Sequence, residues 1–123
     1  MAKIVLFGLD NDLADQLRTV LRQQGHQVEG SDSPEASEIR SADILFAGGD
    51  GPNYRQTVSD LTERHPGLPL VLVNRHPENH RWLDALELGA ADYCGAPFEP
   101  KQMSWLIDSV MRQSGGGITA SAA

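Results

Sequence analysis

Cysteine is nearly absent: Cys94 stands alone in 123 residues. A single thiol excludes an internal disulfide and any cysteine-clustered metal site. Its apolar neighbours mark it as a small buried side chain and not a reactive thiol. Cations are scarce too, ten Lys and Arg against seventeen Asp and Glu, for a net charge of −7. Those cations are scattered, so no broad surface is available to neutralise nucleic-acid phosphates, and an acidic solvated surface is what remains. No apolar run approaches the roughly 18 residues a membrane span needs. The amino end runs straight into an apolar stretch with one lysine, Lys3, unlike a signal peptide. A soluble, cytoplasmic protein without a membrane or nucleic-acid partner is the expectation.

What is present suits one globular domain, with 40% hydrophobic and 22% charged residues, enough for a core of useful size. Three short apolar runs stand out: Lys3-Ile-Val-Leu-Phe7, Ile44-Leu-Phe-Ala47 and Leu68-Pro-Leu-Val-Leu-Val73. Runs this short and unbroken read as strands buried on both faces of a sheet. Gln27-Val28 and Asp92-Tyr-Cys94 suggest two more, shorter strands. Between them lie helical patterns. Asp10 or Asn11 caps a helix from about Asp12 to Gln24, with Leu13, Leu17, Val20 and Leu21 on one face and Gly25 as its stop. Pro34 opens a brief helix ending near Arg40. Tyr54 to His65 forms the next, with Val58 and Leu61 inward. Pro77 to Leu88 follows, with apolar contacts from Trp82, Leu83, Leu86 and Leu88. Pro100 starts the last helix, whose core stripe is Met103, Leu106, Ile107, Val110 and Met111. Residues 1–113 make one domain, and 114–123, rich in Gly, Ser and Ala, read as a flexible tail. Strand and helix alternate five times over short connections, which predicts an α/β, doubly wound parallel sheet.

Leu88-Gly89-Ala90-Ala91-Asp92-Tyr93, followed by Ala96-Pro97-Phe98, resembles the closing signature of the receiver domains of bacterial response regulators. Gly25-His26-Gln27-Val28 and Leu68-Pro69 with its apolar run are similar to two further family segments. The match spans about residues 3 to 112. It implies the flavodoxin-like, CheY-like (βα)5 fold with strand order 2-1-3-4-5. It also implies a phosphoryl-accepting aspartate ending the third strand, two acids after the first strand that hold magnesium, a hydroxyl ending the fourth, a lysine before the proline of the fifth, and a switch ring.

Position by position, this chain departs from that pattern. The acceptor position falls on Gly48, the acid pair on Gly8 and Leu9, the hydroxyl on Asn74 and the lysine on Ala96; only the ring remains, as Tyr93. The resemblance also suggests a cis bond before Pro97. No catalytic residue, cofactor or metal is expected, and magnesium is not expected at the usual site.

Three groups are left to weigh near that pocket. Asp10 is either the N-cap of the first helix, its simpler role, or a displaced metal carboxylate. Asp50 is either a turn aspartate bonded to its own backbone or a relocated acceptor. Gly48-Gly49-Asp50-Gly51 with Arg75 is either a plain turn beside a surface cation or an anion cradle. His65, His76 and His80 lack a recurring metal spacing. Tyr93 either switches or simply packs, and Trp82 and Trp105 are either core or binding anchors. The expected function is a stand-alone, degenerate pseudo-receiver that works as a protein-interaction module without phosphorylation. Its signalling partner would dock on the face made by the fourth helix, fifth strand and fifth helix, with self-association as a further arrangement. The rivals are a small-ligand or anion sensor in the vacated pocket, and a receiver phosphorylated at Asp10 or Asp50.

Overall fold

The computed structural model describes the backbone of residues 2–75 and 79–122 and the side chains of residues 2–75 and 83–112. Five strands and five helices alternate: β1 (Lys3–Phe7), α1 (Asn11–Gln23), β2 (Gln27–Ser31), α2 (Ser37–Arg40), β3 (Ile44–Gly48), α3 (Tyr54–Arg64), β4 (Leu70–Asn74), α4 (Asn79–Glu87), β5 (Asp92–Gly95) and α5 (Pro100–Ala122). All pairings are parallel, in the order β2-β1-β3-β4-β5. This is the flavodoxin-like receiver fold the sequence predicts.

The unbroken apolar runs are explained by the two cores they feed. Side chains alternate across a strand. Ile4, Leu6, Ile44, Phe46, Val71 and Val73 therefore meet Leu13, Leu17 and Leu21 of α1 and Met103, Leu106, Ile107 and Val110 of α5. On the opposite face Val5, Leu45, Ala47, Leu70 and Leu72 meet Ile39 of α2, Val58 and Leu61 of α3 and Ala85 of α4. Fully burying each such aliphatic side chain contributes about 1.5–3 kcal/mol. No helix among the described residues is long and apolar enough to cross a membrane.

Several boundaries differ from expectation for local reasons. Pro34 does not open a helix. It sits in a turn closed by Ala36 N–H donating to Ser33 O at 3.2 Å, and Ser33 Oγ accepts from Glu35 N–H at 3.2 Å. Those local bonds compete with a helical ladder, so α2 begins at Ser37. The ladder of β4 starts at Leu70 because Pro69 has no N–H to give, although its carbonyl accepts from Leu45 N–H at 2.9 Å. In α4, Leu83 and Leu86 were expected inward, yet Leu83 is 56% exposed and Leu86 is also exposed, because the helix turns Ala85 to the sheet. Pro77 lies outside the described residues. The backbone of α5 is helical to Ala122; the side chains of the expected tail, 114–123, lie outside the described set.

Candidate functional site at the carboxyl ends of the strands

Parallel register brings the strand ends to one edge: Phe7 pairs with Ala47, Gly48 with Val73, and Asn74 with Gly95. In an open parallel sheet this is where ligands and chemistry sit. After β1 the chain turns at Gly8, whose φ of 71° lies in the left-handed region that favours glycine. That turn lays the Gly8 carbonyl against the end of β3. A Cβ built on Gly48 would lie 2.3 Å from Gly8 O and 3.0 Å from Gly8 C, so a side chain enters there only if the β1–α1 backbone moves. At Gly49 a Cβ would meet Leu72 Cγ at 2.6 Å and Asn74 Oδ1 at 2.8 Å. Gly49 N–H donates to Val73 O at 2.8 Å. The end of β3 is glycine for want of room.

The acids around it are engaged by donors. Asp10 is the N-cap of α1: its Oδ1 accepts from Leu13 N–H at 2.9 Å. Its other oxygen accepts from Arg75 Nη2. These donors, the Leu13 N–H first and the Arg75 guanidinium second, hold the Asp10 carboxyl below its ordinary range. Arg75 Nη1 also reaches Asp12 Oδ2 at 3.4 Å, and the carboxylate of Asp10 in turn raises the Arg75 pKa. Asp50 does not cap its own turn as expected. Both its oxygens accept from Arg75 N–H at 2.9 Å, and Oδ1 also accepts from Asn74 Nδ2 at 3.2 Å. The reason is proximity: the β3–α3 loop lies beside the end of β4, where the Arg75 N–H lies past the last rung of the ladder.

A cavity of about 310 Å³ opens beside this array, lined by Gly8, Leu9, Asp10, Gly48, Asp50 and Tyr54 among others. It brings Asp10 and Asp50 together but leaves out Asn74 and Arg75, which the ligand-sensor reading grouped with the glycines. Asn74 is 1% exposed, and its Oδ1, beneath Gly49, has no hydrogen-bond partner among the described residues. The residues present do not fit a receiver's divalent cation. Gly8 and Leu9 carry no carboxylate, Asp10 is already bonded to Leu13 and Arg75, and among the described residues no three His, Cys, Asp or Glu converge.

Other expected groups find their places. The Ala96–Pro97 bond is cis. Tyr93 is partly buried and packs against the α3–α4 core. Trp105 is 70% exposed on α5, whereas the side chain of Trp82 lies outside the described residues, as do those of His76 and His80. His65 Nε2 lies 2.6 Å from Pro34 O. Burial pushes the Cys94 thiol up to about 12, which lowers its thiolate fraction.

Two features escaped the sequence. One is Asp12, 63 positions before Arg75 in the chain and adjacent to it in space; strand order carried the signal, because β4 and β1 flank β3. The other joins α3 to α4: Tyr54 Oη donates to Asp84 Oδ2 at 2.6 Å, and Arg55 Nη2 donates to the same oxygen at 2.6 Å.

No family model matches the chain. The response regulator protein FleR of Pseudomonas aeruginosa is 30% identical over 129 aligned positions, covering 98% of this chain and 26% of that protein. The protein PetR of Rhodobacter capsulatus is 31% identical over 120, covering 90% of this chain and 49% of that protein. The chain thus spans between a quarter and a half of the length of these curated relatives. A response regulator receiver domain protein from Clostridium thermocellum superposes with a TM-score of 0.76 at 16% identity, over 94% of this chain and 98% of that one.

Proposed function

We propose that this chain, a response-regulator receiver domain by fold and by sequence similarity, acts in two-component signalling as a protein-interaction module that works without aspartyl phosphorylation. One observation carries the reading: β3 ends in Gly48, where a Cβ would lie 2.3 Å from the Gly8 carbonyl oxygen. A phosphoryl acceptor needs a side chain at that end, and the space is filled by backbone. Asn74 and Ala96 likewise stand where the resemblance places a hydroxyl and a lysine. The module is not an enzyme and needs neither magnesium nor another cofactor. Its partner is a signalling protein that docks on α4, β5 and α5. Support for that face comes from the exposed Leu83 and Trp105 and from β5 being an edge strand. Aromatic anchors of this kind dominate binding where they become buried.

A second reading has one observation in its favour: Asp10 and Asp50 line the same cavity. In it the domain is phosphorylated at a relocated carboxylate. A ligand-sensor reading would use the same cavity, and the two carboxylates in its wall disfavour an anion there.

Amide NMR separates these readings. The protein is titrated with magnesium, then with beryllofluoride or acetyl phosphate. The interaction-module reading expects no change at Gly48, Asn74 or Tyr93. Saturable, magnesium-dependent shifts that vanish in Asp10→Asn or Asp50→Asn would overturn it in favour of the relocated acid.

A further inference from the structure

We infer that Arg75 is a resident cation that ties the β1–α1 and β3–α3 loops to the end of β4 as one unit, in place of a dissociable metal ion. The argument begins with topology. Since β3 lies between β1 and β4, a side chain leaving the end of β4 must cross the end of β3 to reach α1, a gap of roughly 9–10 Å between strand axes. Gly48 and Gly49 put no side chain in the way. Arg75 spans that gap, and its guanidinium meets Asp10 with Nη2 and Asp12 with Nη1.

Its backbone is fixed at the same time. Asp50, on the β3–α3 loop, takes the Arg75 N–H with both carboxylate oxygens. Asp10 then passes the connection on, because its second oxygen caps α1 at Leu13 N–H. A continuous polar path therefore runs from the β3–α3 loop through residue 75 into the first turn of α1. Two carboxylates meet the guanidinium and a third takes the backbone N–H of the same residue; the planar fork of arginine can satisfy both side-chain partners at once where a lysine ammonium is a single point charge. The inference deepens the proposed function, from which it draws its signalling meaning: the strand ends that a metal and a phosphoryl group would tie together are tied by the chain's own side chains.

The test is amide hydrogen exchange by NMR on the intact chain at neutral pH and low salt. It compares wild type with Arg75→Gln, Arg75→Lys and Asp10→Asn, the last keeping a capping side chain while removing its charge. The inference expects exchange at Leu13 and at residue 75 to speed up about five-fold or more in Arg75→Gln. Arg75→Lys should give a smaller increase, and Leu17 and Val71 in the core should not change. Because the pairs are solvent-exposed, 1 M salt should move wild type toward Arg75→Gln. Unchanged exchange at Leu13 and residue 75 overturns the inference. So does an equal rise at the core amides, which would mark a general loss of stability. The readout uses neither magnesium nor a phosphoryl donor, so its failure and that of the proposed function register in different experiments.

Discussion

Within β3 two regimes meet between Ala47 and Gly48. On one side Leu45, Phe46 and Ala47 are sealed between helices on both faces of the sheet. On the other, Gly48 lies under the Gly8 backbone and Gly49 against the side chains of Leu72 and Asn74, while the neighbouring charges of Asp10, Asp12 and Arg75 stand in solvent. The strand interiors are held by area removed from water. The strand ends are shaped by close backbone contact and by hydrogen bonds whose value water and salt reduce. Interiors therefore preserve the fold while the ends are free to change their chemistry.

The largest effect should come from breaking the interior. Phe46→Ala removes a fully buried ring from the α1–α5 core and should cost about 3–5 kcal/mol, read as a lowered urea midpoint with an unchanged slope. A loss under 1 kcal/mol would mean that the interior is less close-packed than the structure describes. Cys94, partly buried against the same core, probes its margin chemically. Its pKa of about 12, raised by burial from 9.0, leaves roughly a thousand-fold less thiolate than an unperturbed thiol has. A disulfide exchange reagent at pH 8 should label it slowly in the folded protein and rapidly in denaturant; equal rates would show that the packing around Cys94 does not suppress its thiolate.

Next comes a pair of glycines at the ends. Gly48→Ala drives a methyl into the Gly8 carbonyl and should cost on the order of 1–3 kcal/mol. Gly51, where an added Cβ meets nothing within 4 Å, should tolerate alanine or gain a few tenths of a kcal/mol from a stiffer unfolded chain. If the two substitutions behave alike, the roof over β3 is not a constraint.

The smallest effect concerns pH. His26 Nδ1 accepts from Ala2 N–H at 3.0 Å. Burial lowers the ring's pKa below 6.5, the amino terminus lowers it further, and Asp108 opposes both. In that window the unfolded chain binds more protons than the folded one, so this stability is fully present above pH 6.5 and declines as pH falls through it. Urea midpoints at pH 7.5 and 5.5 should differ in wild type, and His26→Gln should shrink the difference.

The contrast between interior and edge also explains what could be read in advance. Ile4, Leu45 and Leu72 announce buried strands because burial on both faces admits only apolar residues, and periodicity exposes Leu13, Leu17 and Leu21 as the inner face of α1. Asp10 as a cap was legible because capping is local. Arg75 with Asp12 was not, since their meeting depends on strand order and on two glycines clearing the path between them. Leu83 and Leu86 misled because α4 presents only Ala85 of its described residues to the sheet, a choice of helix phase that their apolar character conceals. Gly48 could be read as a position without a side chain; that a Cβ there is sterically opposed by the Gly8 carbonyl could not.

That opposition has a consequence for how such a sequence can change. The fitness of an aspartate at position 48 depends on what residue 8 does, because the φ of 71° at Gly8 sets the carbonyl that blocks it. The two positions are epistatic. A side chain added at position 48 alone meets that carbonyl, so an acidic residue at the end of β3 is accommodated more readily where the turn after β1 has been remodelled.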